Sequence, residues 1–421
     1  MIRSLWFRTI AGSVLRSNFL AFVLLALPWN GHAQHAPVWV GAWASSQQIP
    51  EPKNALGADD LRDATLRQIV HLSIGGSAIR VHLSNAFGVA PLHLMSVHVA
   101  RSKARDSATI DAAADRELHF AGRIDVIIPA GAEYVSDPLD YAVAAGADLA
   151  ISIHYGDPPE QETGHPGARA TSYLVHGDMV SAASFTPAKN VDHWYQLSGV
   201  DVARDGGFSI VALGDSITDG HGATTNGNDR WPDLLARRLQ AAGRHSVGVL
   251  NEGIGGNRVL DDGPGPNALA RFDRDVLAQT AVRYVIVLEG VNDLGLLART
   301  MRASAEEHAV LVRRIIAAYA QMVARAHAHG VFVIGSTILP YGGSDYYHPD
   351  AVSEADRQTV NAWIRSAGHF DAVIDFDKTM RDPSHPDRLL PKFDSGDHLH
   401  PSPAGYAAMA DSVPLSMFGA R

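Results

Sequence analysis

Hydrophobic periodicity changes once along this 421-residue chain, and that change limits the possible folds more than any other feature. From Val38 to about Tyr173 the pattern has a period of two. Val70, Leu72 and Ile74 interleave with His71 and Ser73, and Ile79, Val81 and Leu83 interleave with Arg80, His82 and Ser84. A period of two belongs to strands with one buried and one wet face. Gly75-Gly76 between the two runs predicts a hairpin. Leu92 and Leu94 keep the rule and Val97 and Val99 reverse its parity, which predicts a bulge near Met95-Ser96. Leu149, Ile151, Ile153 and Tyr155 alternate again, and Val126–Ile128 reads as a more buried strand. With Gly- and Pro-containing turns between the segments, the expectation is an antiparallel β-sandwich of jelly-roll type.

Past Arg204-Asp205-Gly206-Gly207 the pattern becomes strand, loop and helix, repeated. Continuous apolar runs occupy Phe208–Leu213, Val247–Leu250, Tyr284–Leu288, Val331–Ile334 and Ala372–Phe376. Helical patterns lie between them, at Trp231–Ala242, Ser304–His329 and Val352–Ala367. Unbroken apolar strands alternating with helices mean a parallel sheet covered on both faces, and such sheets bind ligands at the carboxyl ends of their strands. The expected organisation is a leader over 1–33, a β-sandwich domain over 34–203 and an α/β domain over 204–421.

The leader is read from Arg3, Arg8 and Arg16, the apolar run Phe19–Leu27, and Pro28 followed by Gly31-His32-Ala33. This is the form of a secretory signal peptide cut after Ala33. Its apolar run is far short of the roughly 20 residues that span a bilayer. The expectation is an exported protein, periplasmic or extracellular, without a membrane anchor after cleavage. The chain contains no cysteine, which excludes disulfides, a thiolate nucleophile, Cys-ligated zinc and iron–sulfur clusters. Its formal charge is -10, from 35 basic and 45 acidic residues, and no basic run marks a nucleic-acid surface.

Four polar blocks follow the strand ends. The first is Gly214-Asp215-Ser216-Ile217-Thr218, where a serine on a strand-to-helix turn is either an exposed nucleophile or a helix cap. The second is Asn251-Glu252-Gly253-Ile254-Gly255-Gly256-Asn257-Arg258, whose glycines allow a backbone N–H to approach a ligand or simply make a turn. It lacks the Lys-Ser/Thr ending of a phosphate loop. The third is Gly290-Val291-Asn292-Asp293, where a side-chain amide can donate to an oxyanion or close a turn. In the fourth, Asp397-His398-Leu399-His400, Asp397 can reach His400 from three residues away, and Ser402-Pro403 reads as the start of a helix. His398 competes with His400, and Asp394 with Asp397, for the same roles. Asp215 and Asp293 admit a glycosidase reading, although turn and loop hydrogen bonding accounts for both. The helix dipole accounts for His327 and His329 at a helix end better than a metal does.

In order and placement the four blocks resemble the SGNH hydrolases, the GDSL esterase/lipase family. Ser216, Gly256, Asn292 and His400 match its four letters, with Gly256 five residues after Asn251. The likeness spans roughly Phe208 to Ser416. Thr218-Asp219-Gly220, Asn228-Asp229-Arg230-Trp231-Pro232 and Asp394–Pro401 are similar to one branch, secreted acylhydrolases associated with xylan-degradation gene clusters. Members of that branch carry an N-terminal β domain opening on a Trp-x-x-Ser segment, here Trp43–Ser46. The resemblance implies a flavodoxin-like α/β hydrolase domain that needs no metal or cofactor. It implies Ser216 as nucleophile, His400 as base and Asp397 as the orienting acid. It also implies an oxyanion hole made by the N–H groups of Ser216 and Gly256 and the amide of Asn292. The expected substrate is a small-molecule or polysaccharide ester, foremost a short-chain acetyl ester on plant saccharides. The alternatives are a lysophospholipase, thioesterase or aryl-esterase, or a carbohydrate-binding protein with a vestigial hydrolase domain. Trp39, Trp43 and Trp194 either stack on sugars or pack inside.

Overall fold

The computed structural model describes residues 37–300 and 303–419, and the leader expected over 1–33 lies outside them. From Pro37 onward the chain packs as one compact unit. No helix among the described residues is long and apolar enough to cross a membrane.

The first half forms the expected antiparallel layers. One sheet orders β1 (Trp39–Ala44), β13 (Leu197–Ala203), β3 (Ile79–Ser84) and β7 (Glu133–Val135). The facing sheet orders β11 (Lys189–Val191), β10 (Ser172–His176), β2 (Ala64–His71), β8 (Asp148–Tyr155), β4 (Leu92–Arg101) and β5 (Arg116–Glu117), with β6 (Val126–Ile128) pairing on β4. A separate two-stranded pair joins β9 (Gly164–His165) to β12 (Trp194–Tyr195). The register of β4 against β8 shifts between Leu94 and Ser96, where the parity change placed the bulge.

Three expectations from the alternation are corrected. β2 and β3 do not form a hairpin, because they belong to different sheets. Gly75 lies where the chain crosses between layers: a Cβ there would sit 2.5 Å from the carbonyl oxygen of Val143, so the glycine serves a close backbone approach and not a turn. Nor does β2 have a wet face. Its outer side lies under a small second cluster that includes Ile69, Ile110, Ala150 and Tyr173. Arg67, fully buried there, donates to Ser152 Oγ and to the carbonyls of Ala108, Val180 and Ala182. Third, β6 pairs only with the end of β4 and leaves Ile127 55% exposed, so it is not the buried strand its composition suggested.

The turn through Arg204–Gly207 leads directly from β13 into β14 (Phe208–Gly214). A parallel sheet then runs in the order β15 (Val247–Gly253), β14, β16 (Val282–Leu288), β17 (Phe332–Ser336) and β18 (Ala372–Ile374). Counted within this half the order is 2-1-3-4-5, the doubly wound flavodoxin-like arrangement, whose switch point lies between the first and third strands. Its helices are α2 (Ser216–Asp219), α3 (Trp231–Ala241), α4 (Ala268–Phe272), α5 (Val291–Thr300), α6 (Ala305–Ala328), α7 (Ala351–Arg365), α8 (Phe376–Met380) and α9 (Pro403–Ser412), after a single-turn α1 (Ala58–Leu61) in the first half. Ser304 caps α6 in a box with Glu307, and Ser402 caps α9 with Pro403 at its first position. His327 pairs with Asp371 at the end of α6.

The first half also protects an edge of this sheet. β15 is an edge strand, which exposes unpaired backbone groups. Ser73 Oγ accepts from the N–H of Val249 and donates to the carbonyl of Ala42, joining β15 to β1. The N–H of Gly41 donates to the carbonyl of Thr280. Gly248 lies so close to Gly41 that any Cβ would run into its carbonyl oxygen. Nearby, Asp201 of β13 accepts from Thr280 Oγ1 at 2.8 Å, from Arg80 at 2.8 Å and from His82 Nε2 at 2.9 Å. Burial works against a charged His82, but Asp201 and Glu133 overcome it and raise its pKa from 6.5 to about 9.

Replacing Gly248 with Ala should therefore lower stability by about 1–3 kcal/mol, read as a fall in Tm, because the opposing atom is backbone and cannot turn aside. His82 predicts a pH effect. Its folded pKa is raised, so its contribution is complete below 6.5 and disappears as pH rises through about 9. Denaturant titrations across that window should show stability falling in the native protein, and His82→Gln should flatten that part of the curve.

Candidate active site

The four blocks come together at the carboxyl end of the parallel sheet, across its switch point. Asp215 caps α2 by accepting from the N–H of Ile217, so Ser216 is the first helical residue and Gly220 ends the turn in the left-handed region. That geometry presents Ser216 Oγ to the imidazole of His400, at 2.8 Å from Nε2. On the far side of the ring, Nδ1 lies 2.6 Å from Asp397 Oδ2.

Two successive Asx turns make the Asp-x-x-His spacing work. Asp397 Oδ1 accepts from the N–H groups of Leu399 and His400, leaving Oδ2 for the imidazole. Asp394 repeats the motif one turn earlier, accepting from the N–H groups of Gly396 and His398 and pairing with His398 Nδ1 at 2.5 Å. His398, with φ at 60°, is thus turned away onto its own acid, and each histidine has a separate carboxylate. Although half-burial opposes it, hydrogen bonding and charge from His400, joined by the two backbone N–H groups, hold the Asp397 carboxyl well below the usual range.

Opposite Ser216 stand Gly256, at φ 71°, and Asn292. The N–H groups of Ser216 and Gly256 donate to no acceptor among the described residues. Tyr347 OH donates to Asn292 Oδ1 at 2.5 Å, and Asn292 Nδ2 donates one hydrogen to the carbonyl of Asn257 at 2.6 Å. The amide is therefore oriented from behind, with a second N–H left over. Asp293 accepts from the N–H groups of Val259 and Leu260 and so fixes the second block. Burial outweighs those bonds and pushes its carboxyl up to about 6. Asp215 and Asp293 are accounted for as cap and loop acceptor.

Beneath these residues lies Arg271, whose side chain is fully buried. It donates to the carbonyls of Gly214 and Glu252, to Asn257 Oδ1 and Ser46 Oγ, and to the carboxylates of Asp275 and Glu289. Burial raises the Glu252 and Glu289 carboxyls well above the usual range; Asp275 is held below it by Arg274 and Arg271 despite its burial.

The site opens into a cleft of about 840 Å³. Its walls come from both halves: Gln48, Lys53 and Arg169 from the first, Asn292, Tyr346 and Leu399 from the second. Trp43 and Trp194 are buried and pack edge to face at 4.8 Å, while Trp39 lies under Arg80. None of the three lines the cleft. His221, Asp397 and His400 bring potential metal-ligand atoms within 4.8 Å of one another, but Asp397 Oδ2 is paired with His400, and Nδ1 of His221 accepts from Arg169. Sequence reasoning missed Arg169, His221, Arg271 and Tyr347. Only His221, next to Thr218-Asp219-Gly220, lay beside a recognised motif.

Residues 212–408 match the model of the GDSL-like Lipase/Acylhydrolase family. No curated protein gives a significant match. Among solved structures the chain is similar to a lipase/acylhydrolase from Enterococcus faecalis (25% identity, covering 49% of this chain and 92% of that one, TM-score 0.38). It is also similar to an acetylxylan esterase from Geobacillus stearothermophilus (23%, 49% and 92%, TM-score 0.37) and a GDSL-like lipase from Bacteroides thetaiotaomicron (20%, 48% and 84%, TM-score 0.36). The matched region over 212–408 carries all four blocks.

Proposed function

We propose that the protein is an exported serine esterase that removes short acyl groups, acetyl foremost, from plant polysaccharides or oligosaccharides. The observation that carries the reading is the hydrogen-bonded chain from Ser216 Oγ through His400 to Asp397. Asp397 accepts the Nδ1 proton and fixes the tautomer, so the Nε2 lone pair faces the serine. Ser216 Oγ attacks the ester carbonyl as His400 takes its proton. The tetrahedral oxyanion receives the N–H groups of Ser216 and Gly256 and the remaining N–H of Asn292. His400 then protonates the leaving alcohol. In the second half it activates water, which releases the acid and restores Ser216.

Support for a saccharide alcohol comes from the polar wall of Gln48, Lys53 and Arg169 and from Tyr346, 53% exposed at the cleft, an aromatic face suited to a sugar ring. The strings Asn228–Pro232 and Asp394–Pro401 support membership of the branch associated with xylan-degradation gene clusters. The basic and then apolar start of the chain supports export to the periplasm or beyond.

Ser216→Ala should abolish hydrolysis of p-nitrophenyl acetate, and retained activity would sink the nucleophile assignment. Acetate release from acetylated xylan should exceed acid release from a lysophospholipid at equal enzyme; the reverse order would favour the lysophospholipase alternative. Asn292→Ala should cost on the order of 10²–10³ in kcat. Tyr347→Phe should cost about tenfold, chiefly in kcat, since one hydrogen bond holding the donor is lost. An effect of Tyr347→Phe on KM alone would place the tyrosine against the substrate instead.

A further inference from the structure

We propose that Arg169, contributed by the β half, is a positioning residue for the Ser216–His400–Asp397 array and acts through His221. The inference rests on the serine-esterase reading and gives the β half a direct part in turnover.

The segment from His165 to Arg169 is fastened along the turn that begins at the nucleophile. His165 Nε2 lies 2.9 Å from Asp219 Oδ1, and its Nδ1 lies 2.8 Å from the carbonyl of Ser46. Gly167 leaves the space that the Asp219 carboxylate fills, and any Cβ there would collide with it. The carbonyl of Arg169 accepts from the N–H of Asn226 at 2.8 Å. His221 closes the same turn, its N–H donating to the carbonyl of Ser216 and its carbonyl accepting from Tyr406 OH.

With its backbone held, Arg169 NH2 reaches His221 Nδ1 at 2.9 Å. A guanidinium only donates, so Nδ1 must carry the lone pair and the hydrogen of the neutral ring sits on Nε2. That Nε2 lies 3.8 Å from Asp397 Oδ2, and the ring packs against His400 with centroids 4.1 Å apart. The charged and titratable groups around His221 are Asp219 on its own turn, Arg169 from the β half, and His400 and Asp397 from the last loop. Burial, then His400 and Arg169, outweigh the two carboxylates and lower its pKa to about 4. A neutral His221 braces His400 and leaves Asp397 to it. A protonated one would be a second cation beside the base, competing for Asp397 Oδ2 and opposing the imidazolium that forms when Ser216 gives up its proton.

The test is kcat and KM for p-nitrophenyl acetate against pH, on the full chain, with a thermal melt of each variant. Arg169→Met keeps the stem and loses the donors. Its kcat should fall about tenfold with KM little changed, and the loss should deepen toward acidic pH as His221 gains a proton. Arg169→Lys should recover most of the activity. In a His221→Phe background Arg169→Met should cost nothing further. A native kcat and pH profile in Arg169→Met, even with a lowered Tm, overturns the proposal. So does an equal loss in the His221→Phe background. Ser216→Ala separates the two levels: if it stays active the esterase reading fails, whereas an inactive Ser216→Ala beside a native-like Arg169→Met refutes only the role of Arg169.

Discussion

One buried cation holds the site in register. Arg271 commits four guanidinium N–H groups to acceptors at the ends of three strands, namely the carbonyl of Gly214, the carbonyl of Glu252 with Asn257 just beyond, and the Glu289 carboxyl, and its remaining N–H faces Asp275 and Ser46. Those strand ends lead into Ser216, Gly256 and Asn292. A charge this deep is tolerable only with matched acceptors, and only the planar fork of arginine spreads its donors widely enough to reach them. The surrounding acids adapt to it. Arg274 and Arg271 hold the Asp275 carboxyl below its usual range despite its burial, whereas burial raises the Glu252 and Glu289 carboxyls well above theirs. Ser46 also touches Arg271, and its hydroxyl bonds to Asp275, so the Trp-x-x-Ser segment of the β half belongs to the same network.

That sharing explains why the halves act as one body. Ser73 and Gly41 cover the edge of β15, and His165 holds Asp219, a residue of the turn that begins at Ser216. Cleft walls drawn from both halves follow from this packing.

The parallel half was legible in the sequence because its signals are local. Each apolar run became a strand, Ser304 and Ser402 capped the helices they preceded, and the polar blocks fell at strand ends where the topology gathers them. The β half was less legible. Alternation reports burial on one face and is silent about a second layer, so it did not show that Arg67 and Gln68 on β2 are both buried and bonded to backbone carbonyls. Gly75-Gly76 has the composition of a hairpin turn, but its neighbours across the layer, Val143 to Ala145, are distant in sequence. Arg169, Arg271 and Tyr347 escaped for the same reason. Each bonds to a partner far along the chain, and none sits in a short motif.

The chemistry depends on two side chains that would be ambiguous in isolation. An imidazole can carry its proton on either nitrogen, and a primary amide can present either end. Each is settled by a neighbouring side chain. Asp397 has committed Oδ1 to the backbone, so Oδ2 is the acceptor left for His400 Nδ1, and the opposite nitrogen faces Ser216 with its lone pair. Tyr347 donates to Asn292 Oδ1, so the N–H end must face Gly256 and the serine. The Asp-x-x-His spacing encodes the first of these locally, through an Asx turn. The second needs a tyrosine 55 residues further on, delivered by the loop after β17. The residues of the site are thus written in short motifs, whereas their orientation depends on the tertiary fold.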